Sequence, residues 1–137
     1  MKEEKSILLV EDDIVDVMAV KRAVKQLNIP NPLEIVGNGE EALIYLRDTT
    51  QEIPGIILLD LNMPRMNGIE FLQIAKNDNL LKRIPVIVLT TSQEQRDKVE
   101  TFNFSVAGYM TKPIDHLKFV ETIRTIHLYW TISELPE

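Results

Sequence analysis

Three acids in succession, Glu11-Asp12-Asp13, follow the apolar run Ile7-Leu8-Leu9-Val10, and a further acid, Asp60, follows Ile56-Ile57-Leu58-Leu59. Several carboxylates brought close together cannot all stay ionised without a compensating cation. A hard divalent ion suits them, and Mg²⁺ is the natural candidate: it accepts a few carboxylates, keeps some water and completes its octahedron with phosphate oxygens. Asp13 stands where the first helical segment begins and reads first as its cap, so the cation chemistry falls on Glu11, Asp12 and Asp60. Thr90-Thr91-Ser92 closes another apolar run, and Lys112-Pro113 follows a weaker one. Hydroxyls and an ammonium converging on an anionic centre neutralise and orient a phosphoryl group in transfer. Each feature is weak alone: a strand-end threonine often reflects β-propensity and a lysine before a helix is usually solvated. Their weight lies in convergence, which depends on the elements that carry them.

Four compact apolar runs read as strands: Ile7–Val10, Leu33–Val36 around Glu34, Ile56–Leu59 and Val86–Leu89, with Val106–Met110 a weaker fifth. Three are unbroken rather than alternating, as strands of a parallel sheet covered on both faces should be. Between them run helical spacings, Val17, Val20, Val24 and Leu27 in the first and Phe119, Ile123, Ile126 and Trp130 in the last. Asp13, Asn38 and Ser92 read as N-caps, and Glu41 and Gln95 sit three residues after the latter two, as in a capping box. Pro30, Pro32, Pro54-Gly55 and Pro85 punctuate the connections. The order is βα repeated five times. Right-handed crossovers then favour a doubly wound, five-stranded parallel α/β sheet with five helices and strand order 2-1-3-4-5. Its binding edge lies beyond the carboxyl ends of strands 1 and 3, where Glu11, Asp12 and Asp60 would meet.

The 137 residues suit one domain, with a core over about 5–131 and a short tail; Pro136 implies that the last helix stops by about Ser133. A net charge of −6 disfavours nucleic acid and anionic membrane surfaces as partners. No cysteine is present, which excludes disulfides and thiolate metal sites and fits a reducing cytoplasm. The opening MKEEKSILLVEDD is too short in apolar residues and too acidic for a secretory signal, and no apolar run approaches the roughly 18 residues of a membrane span. His116 and His127 are too few and too scattered for a metal site and read as surface or helix-end residues.

The segments ILLVEDD, LLDLNMPRMNG, PVIVLTTS and GYMTKP together resemble the receiver domains of two-component response regulators, along nearly the whole chain. The resemblance implies a flavodoxin-like fold and a phosphoacceptor signalling protein rather than an enzyme. Glu11 and Asp12 would hold Mg²⁺ with Asp60 and the backbone carbonyl of Asn62, and Asp60 would take a phosphoryl group from a histidine kinase as an acyl phosphate. Thr90 and Lys112 would each meet a phosphoryl oxygen, and Tyr109 would swing inward, changing the surface of helix 4, strand 5 and helix 5. The Lys112-Pro113 bond is typically cis in the family. One departure is Thr91, where the family usually has a small residue; its bulk narrows access and puts the dephosphorylation rate in doubt. The TTS run and the tail Leu128-Tyr129-Trp130 look most like single-domain regulators partnering phytochrome-type histidine kinases, which resemble homodimers built on helices 4 and 5. Tyr129 and Ile132, off the main stripe of the last helix, leave apolar surface for such a contact.

Two other readings start from the same residues. Phosphohydrolases of the haloacid dehalogenase type also use a strand-end Asp with Mg²⁺, but they need a general-acid Asp two residues on and a Thr two beyond, where this chain has Asn62 and Pro64. A flavodoxin-like flavin module needs a first loop rich in hydroxyls and glycine, the electrostatic reverse of Glu11-Asp12-Asp13. A receiver reduced to a docking surface is a third, opposed by the intact set Glu11, Asp12, Asp60, Thr90 and Lys112.

Overall fold

The computed structural model describes residues 5–124 apart from 116 and 123. Strand and helix alternate as β1 (Ile7–Val10), α1 (Ile14–Gln26), β2 (Leu33–Val36), α2 (Gly39–Arg47), β3 (Ile56–Asp60), α3 (Gly68–Ala75), β4 (Val86–Thr90), α4 (Gln93–Thr101) and β5 (Gly108–Thr111). A fifth helix, α5, includes the described residues 117–122 and 124, with the Asp115 carboxylate accepting from Leu117 N and Lys118 N at its start. All strands are parallel in the order β2-β1-β3-β4-β5, as the βα alternation predicts.

The unbroken apolar runs follow from two separate cores. Successive strand residues point to opposite faces, so each run feeds both. Leu8, Val10, Ile57, Leu59, Val86 and Val88 pack with Ala42, Phe71, Leu72 and Val99 of α2, α3 and α4. Ile7, Leu9, Ile56, Leu58, Ile87 and Leu89 pack instead with Val17, Val20 and Ala23 of α1 and with Phe119 of α5. Edge strand β2, the run interrupted by Glu34, is only half covered. Of the predicted stripe on α1, Val17 and Val20 are buried while Val24 and Leu27 pack half-exposed at its margin. Ile123, Ile126, Tyr129, Trp130, Ile132, the expected helix end near Ser133, and both histidines lie outside the described residues.

Two expectations need correction. The fifth strand is Gly108–Thr111 rather than Val106–Met110. Asn103 and Ser105 adopt left-handed φ values of 52° and 56°, and a single bond from Ala107 N to Val86 O, 2.8 Å, leads into the ladder before Gly108 pairs with Ile87. Asn38 and Ser92 do cap α2 and α4, but Glu41 and Gln95 do not close reciprocal boxes. Their side chains accept instead from Gly37 N and Thr91 N, both at 3.0 Å, one residue before each cap. The caps themselves explain this: Asn38 and Ser92 are extended (φ −165° and −156°), which turns the preceding N–H toward the first turn. At Asn67, with φ −78°, the full capping box forms with Glu70. Among the described residues no helix is long and apolar enough to cross a membrane.

Candidate functional site

Register brings the candidate residues to one rim. Val10 lies opposite Leu59, so Glu11 and Asp60 leave β1 and β3 side by side. Leu89 lies opposite Asp60, and Thr111 opposite Thr90, which carries the next residue, Lys112, back over the sheet edge. The Lys112 N–H donates to Thr90 O at 2.7 Å and fixes that turn. The Lys112-Pro113 peptide is cis. Glu11, Asp60 and Thr90 are buried, whereas Asp12, Asp13, Asn62, Thr91 and Pro113 are exposed and Tyr109 is half-buried. Beneath Asp60 the packing is close: a Cβ on Gly68, the first residue of α3, would sit 2.5 Å from Asp60 O and 2.9 Å from Leu61 Cα.

At the centre stands the Lys112 ammonium. It donates to Asp60 Oδ1 at 2.9 Å and lies 2.7 Å from Glu11 Oε1 and 2.9 Å from Asp16 Oδ2. Asp16 is absent from the sequence-derived set. Its signal was its place in the first turn of α1, three residues after the cap, where an acid is ordinarily read as serving the helix dipole. Asp13 is chiefly that cap, accepting from Val15 N at 2.8 Å and Asp16 N at 3.3 Å. Its own N–H meets Glu11 Oε2 at 3.2 Å and holds that carboxylate in place.

Burial dominates the electrostatics of Glu11. It pushes the carboxyl up to about 7; the Lys112 hydrogen bond opposes that and the Asp60 charge adds to it. Burial also pulls the Lys112 ammonium down, but hydrogen bonds to Glu11, Asp16 and Asp60 outweigh it, and the net shift is upward from an ordinary lysine. Lys112 is therefore held in its charged form while burial biases Glu11 toward its protonated one. Glu11, Asp12, Asp16 and Asp60 against one ammonium leave room for a further cation.

The residues fit one. Ligand oxygens of Glu11, Asp12 and Asp60 lie within 4.8 Å of one another. Glu11 Oε1 is fully buried and faces the Lys112 ammonium at 2.7 Å, so the carboxylate is already placed for a cationic partner. The donor set is all oxygen, as hard divalent ions require. Away from the rim, Thr91 N and Thr91 Oγ1 both donate to Gln95 Oε1, at 3.0 and 3.1 Å, so the threonine is tied to α4. The Arg96 guanidinium covers the Tyr109 ring, 4.4 Å from its centroid, and its Nε reaches Glu100 Oε1 at 3.3 Å. Nothing in the sequence links those two residues.

Residues 7–124 match the family model of the response regulator receiver domain. The chain belongs to the response regulator receiver family. Curated relatives include the response regulator Rcp1 of Synechocystis sp., 35% identical over 92% of this chain and 88% of that protein. The probable methanogenesis regulatory protein FilR2 of Methanothrix harundinacea is 35% identical over 90% of this chain and 82% of its own length. Among solved structures, the bacteriophytochrome response regulator RtBRR is 37% identical with a TM-score of 0.83, covering 90% of this chain and 78% of that one. The phosphorylated cyanobacterial phytochrome response regulator RcpA is 35% identical with a TM-score of 0.77, covering 93% and 94%. A Mn²⁺-bound form of Rcp1 is 34% identical with a TM-score of 0.76, covering 97% of each chain. Receivers are signalling proteins that accept phosphoryl groups from histidine kinases, and the acidic pocket of Glu11, Asp12 and Asp60 fits a divalent metal and a phosphoacceptor.

Proposed function

We propose that residues 1–137 form a single receiver domain, acting in the cytoplasm, in which Asp60 is the phosphoacceptor and the metal is Mg²⁺ held by Glu11, Asp12, Asp60 and the Asn62 carbonyl. The observation that carries this reading is the clustering of Glu11, Asp12 and Asp60 within 4.8 Å at one sheet edge beside the Lys112 ammonium. An Asp60 carboxylate oxygen attacks phosphorus of a phosphohistidine; the new P–O bond forms as the P–N bond breaks, and the departing imidazole takes up a proton. Bound Mg²⁺ would supply charge neutralisation for the phosphoryl oxygens. Lys112, already within reach of Asp60 Oδ1, pairs with one phosphoryl oxygen, and Thr90, buried at the end of β4, donates its hydroxyl to another. Pro113 follows the lysine at the turn, and Asp13 fixes the loop through its cap. Tyr109 turns inward as Thr90 moves, which changes the face formed by α4, β5 and α5. Thr91 borders the site with its side chain tied to Gln95 of α4.

The partner in this reading is a phytochrome-type histidine kinase. Its support is the naming of RtBRR as a bacteriophytochrome response regulator and of RcpA as a cyanobacterial phytochrome response regulator, at 37% and 35% identity; in the same reading the protein acts as a homodimer through α4 and α5. No turnover on small phosphoesters accompanies it, since Asn62 supplies no general acid. The test is phosphotransfer from purified, autophosphorylated kinases. Label should move from a phytochrome-type kinase to this chain faster than from a kinase of another sensory class, and light scattering should give a dimer. Equal transfer from both kinases removes the phytochrome assignment, and a monomer with and without a phosphoryl mimic removes the dimer.

A further inference from the structure

The three acids around Lys112 are not equivalent. Glu11 and Asp60 belong to the oxygen cluster that fits a divalent ion, and Asp16 does not. A cation entering that cluster draws on the same Glu11 and Asp60 carboxylates that hold the ammonium at 2.7 and 2.9 Å. It also repels the ammonium. The 2.9 Å contact to Asp16 Oδ2 is the one left uncontested. Asp16 is well placed to keep it: the residue sits in the first turn of α1, its N–H is held by the Asp13 cap, and its side chain is only 17% exposed.

We propose that Asp16 is a positioning residue that takes over the Lys112 ammonium when a metal claims Glu11 and Asp60, so that metal and lysine occupy the rim together. This rests on Glu11, Asp12 and Asp60 being the metal ligands. An acid that served only the helix dipole would affect stability and leave the relation between lysine and metal unchanged.

The test is Mn²⁺ binding to the full chain, followed by the electron paramagnetic resonance signal of the free ion, in wild type, Asp16→Asn, Asp16→Glu, Lys112→Met and the Lys112→Met/Asp16→Asn double variant. Without Asp16 the ammonium falls back onto Glu11 and Asp60 and competes with the ion. Asp16→Asn should therefore weaken binding on the order of tenfold when Lys112 is present and by less than about threefold when it is methionine. Asp16→Glu, which keeps the charge, should stay within about threefold of wild type. The same loss in both lysine and methionine backgrounds would mean a simple through-space charge effect and would overturn the proposal, as would no loss in either. Failure of wild type to bind Mn²⁺ would instead overturn the ligand assignment beneath it. Should Asp16→Asn unfold by circular dichroism, Asp16→Ala in the lysine and methionine backgrounds takes its place, with the same expected and overturning results.

Discussion

Gly68→Ala should damage the site although it replaces none of the proposed functional side chains. The new Cβ would lie 2.5 Å from Asp60 O and 2.9 Å from Leu61 Cα, against about 3.4 Å for ordinary contact, so roughly 0.9 Å must be found. Both near atoms are backbone, and no side-chain rotation relieves them. Either α3 withdraws and stretches the 3.1 Å bond from Gly68 N to Leu61 O, or Asp60 shifts. Overpacking of this kind destabilises by about 1–3 kcal/mol. Displacing the acceptor carboxylate by close to an ångström slows phosphorylation by roughly 100-fold. Gly37→Ala is the internal control, because its Cβ would meet only the flexible Glu41 carboxylate at 3.5 Å, and its φ is not left-handed. That variant should be neutral or gain about 0.4–1 kcal/mol from a less flexible unfolded chain. Urea unfolding of each variant, with acetyl phosphate labelling followed by intact mass, reads both effects. Equal stability and labelling of the two variants would refute the argument that α3 is wedged against Asp60.

Three further outcomes follow from the site. Metal affinity should depend on pH: Glu11 is raised to about 7, so its proton competes with the ion below that value, and affinity is full above it and falls about tenfold per unit beneath. Mn²⁺ titrations between about pH 8 and about pH 6 check this, with a flat profile contradicting it and Glu11→Gln expected to abolish the dependence. Lys112→Met leaves two buried carboxylates without their ammonium and should lower the stability of the metal-free protein by about 1–3 kcal/mol. Saturating Mn²⁺ should restore most of that in urea unfolding, and a loss that the ion does not repair would speak against shared carboxylates. Arg96→Ala removes the guanidinium from the Tyr109 ring, a contact worth about 0.5–1 kcal/mol at a partly exposed site. Fluorotyrosine NMR should then show the ring redistributed between inward and outward positions, and an unchanged spectrum would exclude Arg96 as a restraint on it.

What was legible in the sequence is what short-range pattern and parallel topology dictate. Unbroken apolar runs mark strands that feed two cores, and a chain of βα units then places Glu11, Asp60, Thr90 and Lys112 at consecutive strand ends. The contacts that proved hidden depend on side-chain reach and local backbone. Asp16 looks like any acid in a first helical turn until the turn after β5 brings the lysine over it. Arg96 and Tyr109 meet only because α4 packs beside β5, and the offset of Glu41 and Gln95 from their caps depends on a φ angle that residue types do not encode. The start of β5 slipped for a related reason: Val106 and Ala107 have strand composition, but left-handed residues just before them delay the pairing.

Acceptance of phosphorus by Asp60, within a rim of oxygen ligands, is the step on which the proposed function depends. Its most direct measurement is intact mass after incubation with Mg²⁺ and acetyl phosphate, in wild type and Asp60→Asn. Wild type should gain one phosphoryl group that is lost under mild alkali, as an acyl phosphate is, and Asp60→Asn should gain none. Equal labelling of both proteins would contradict the account.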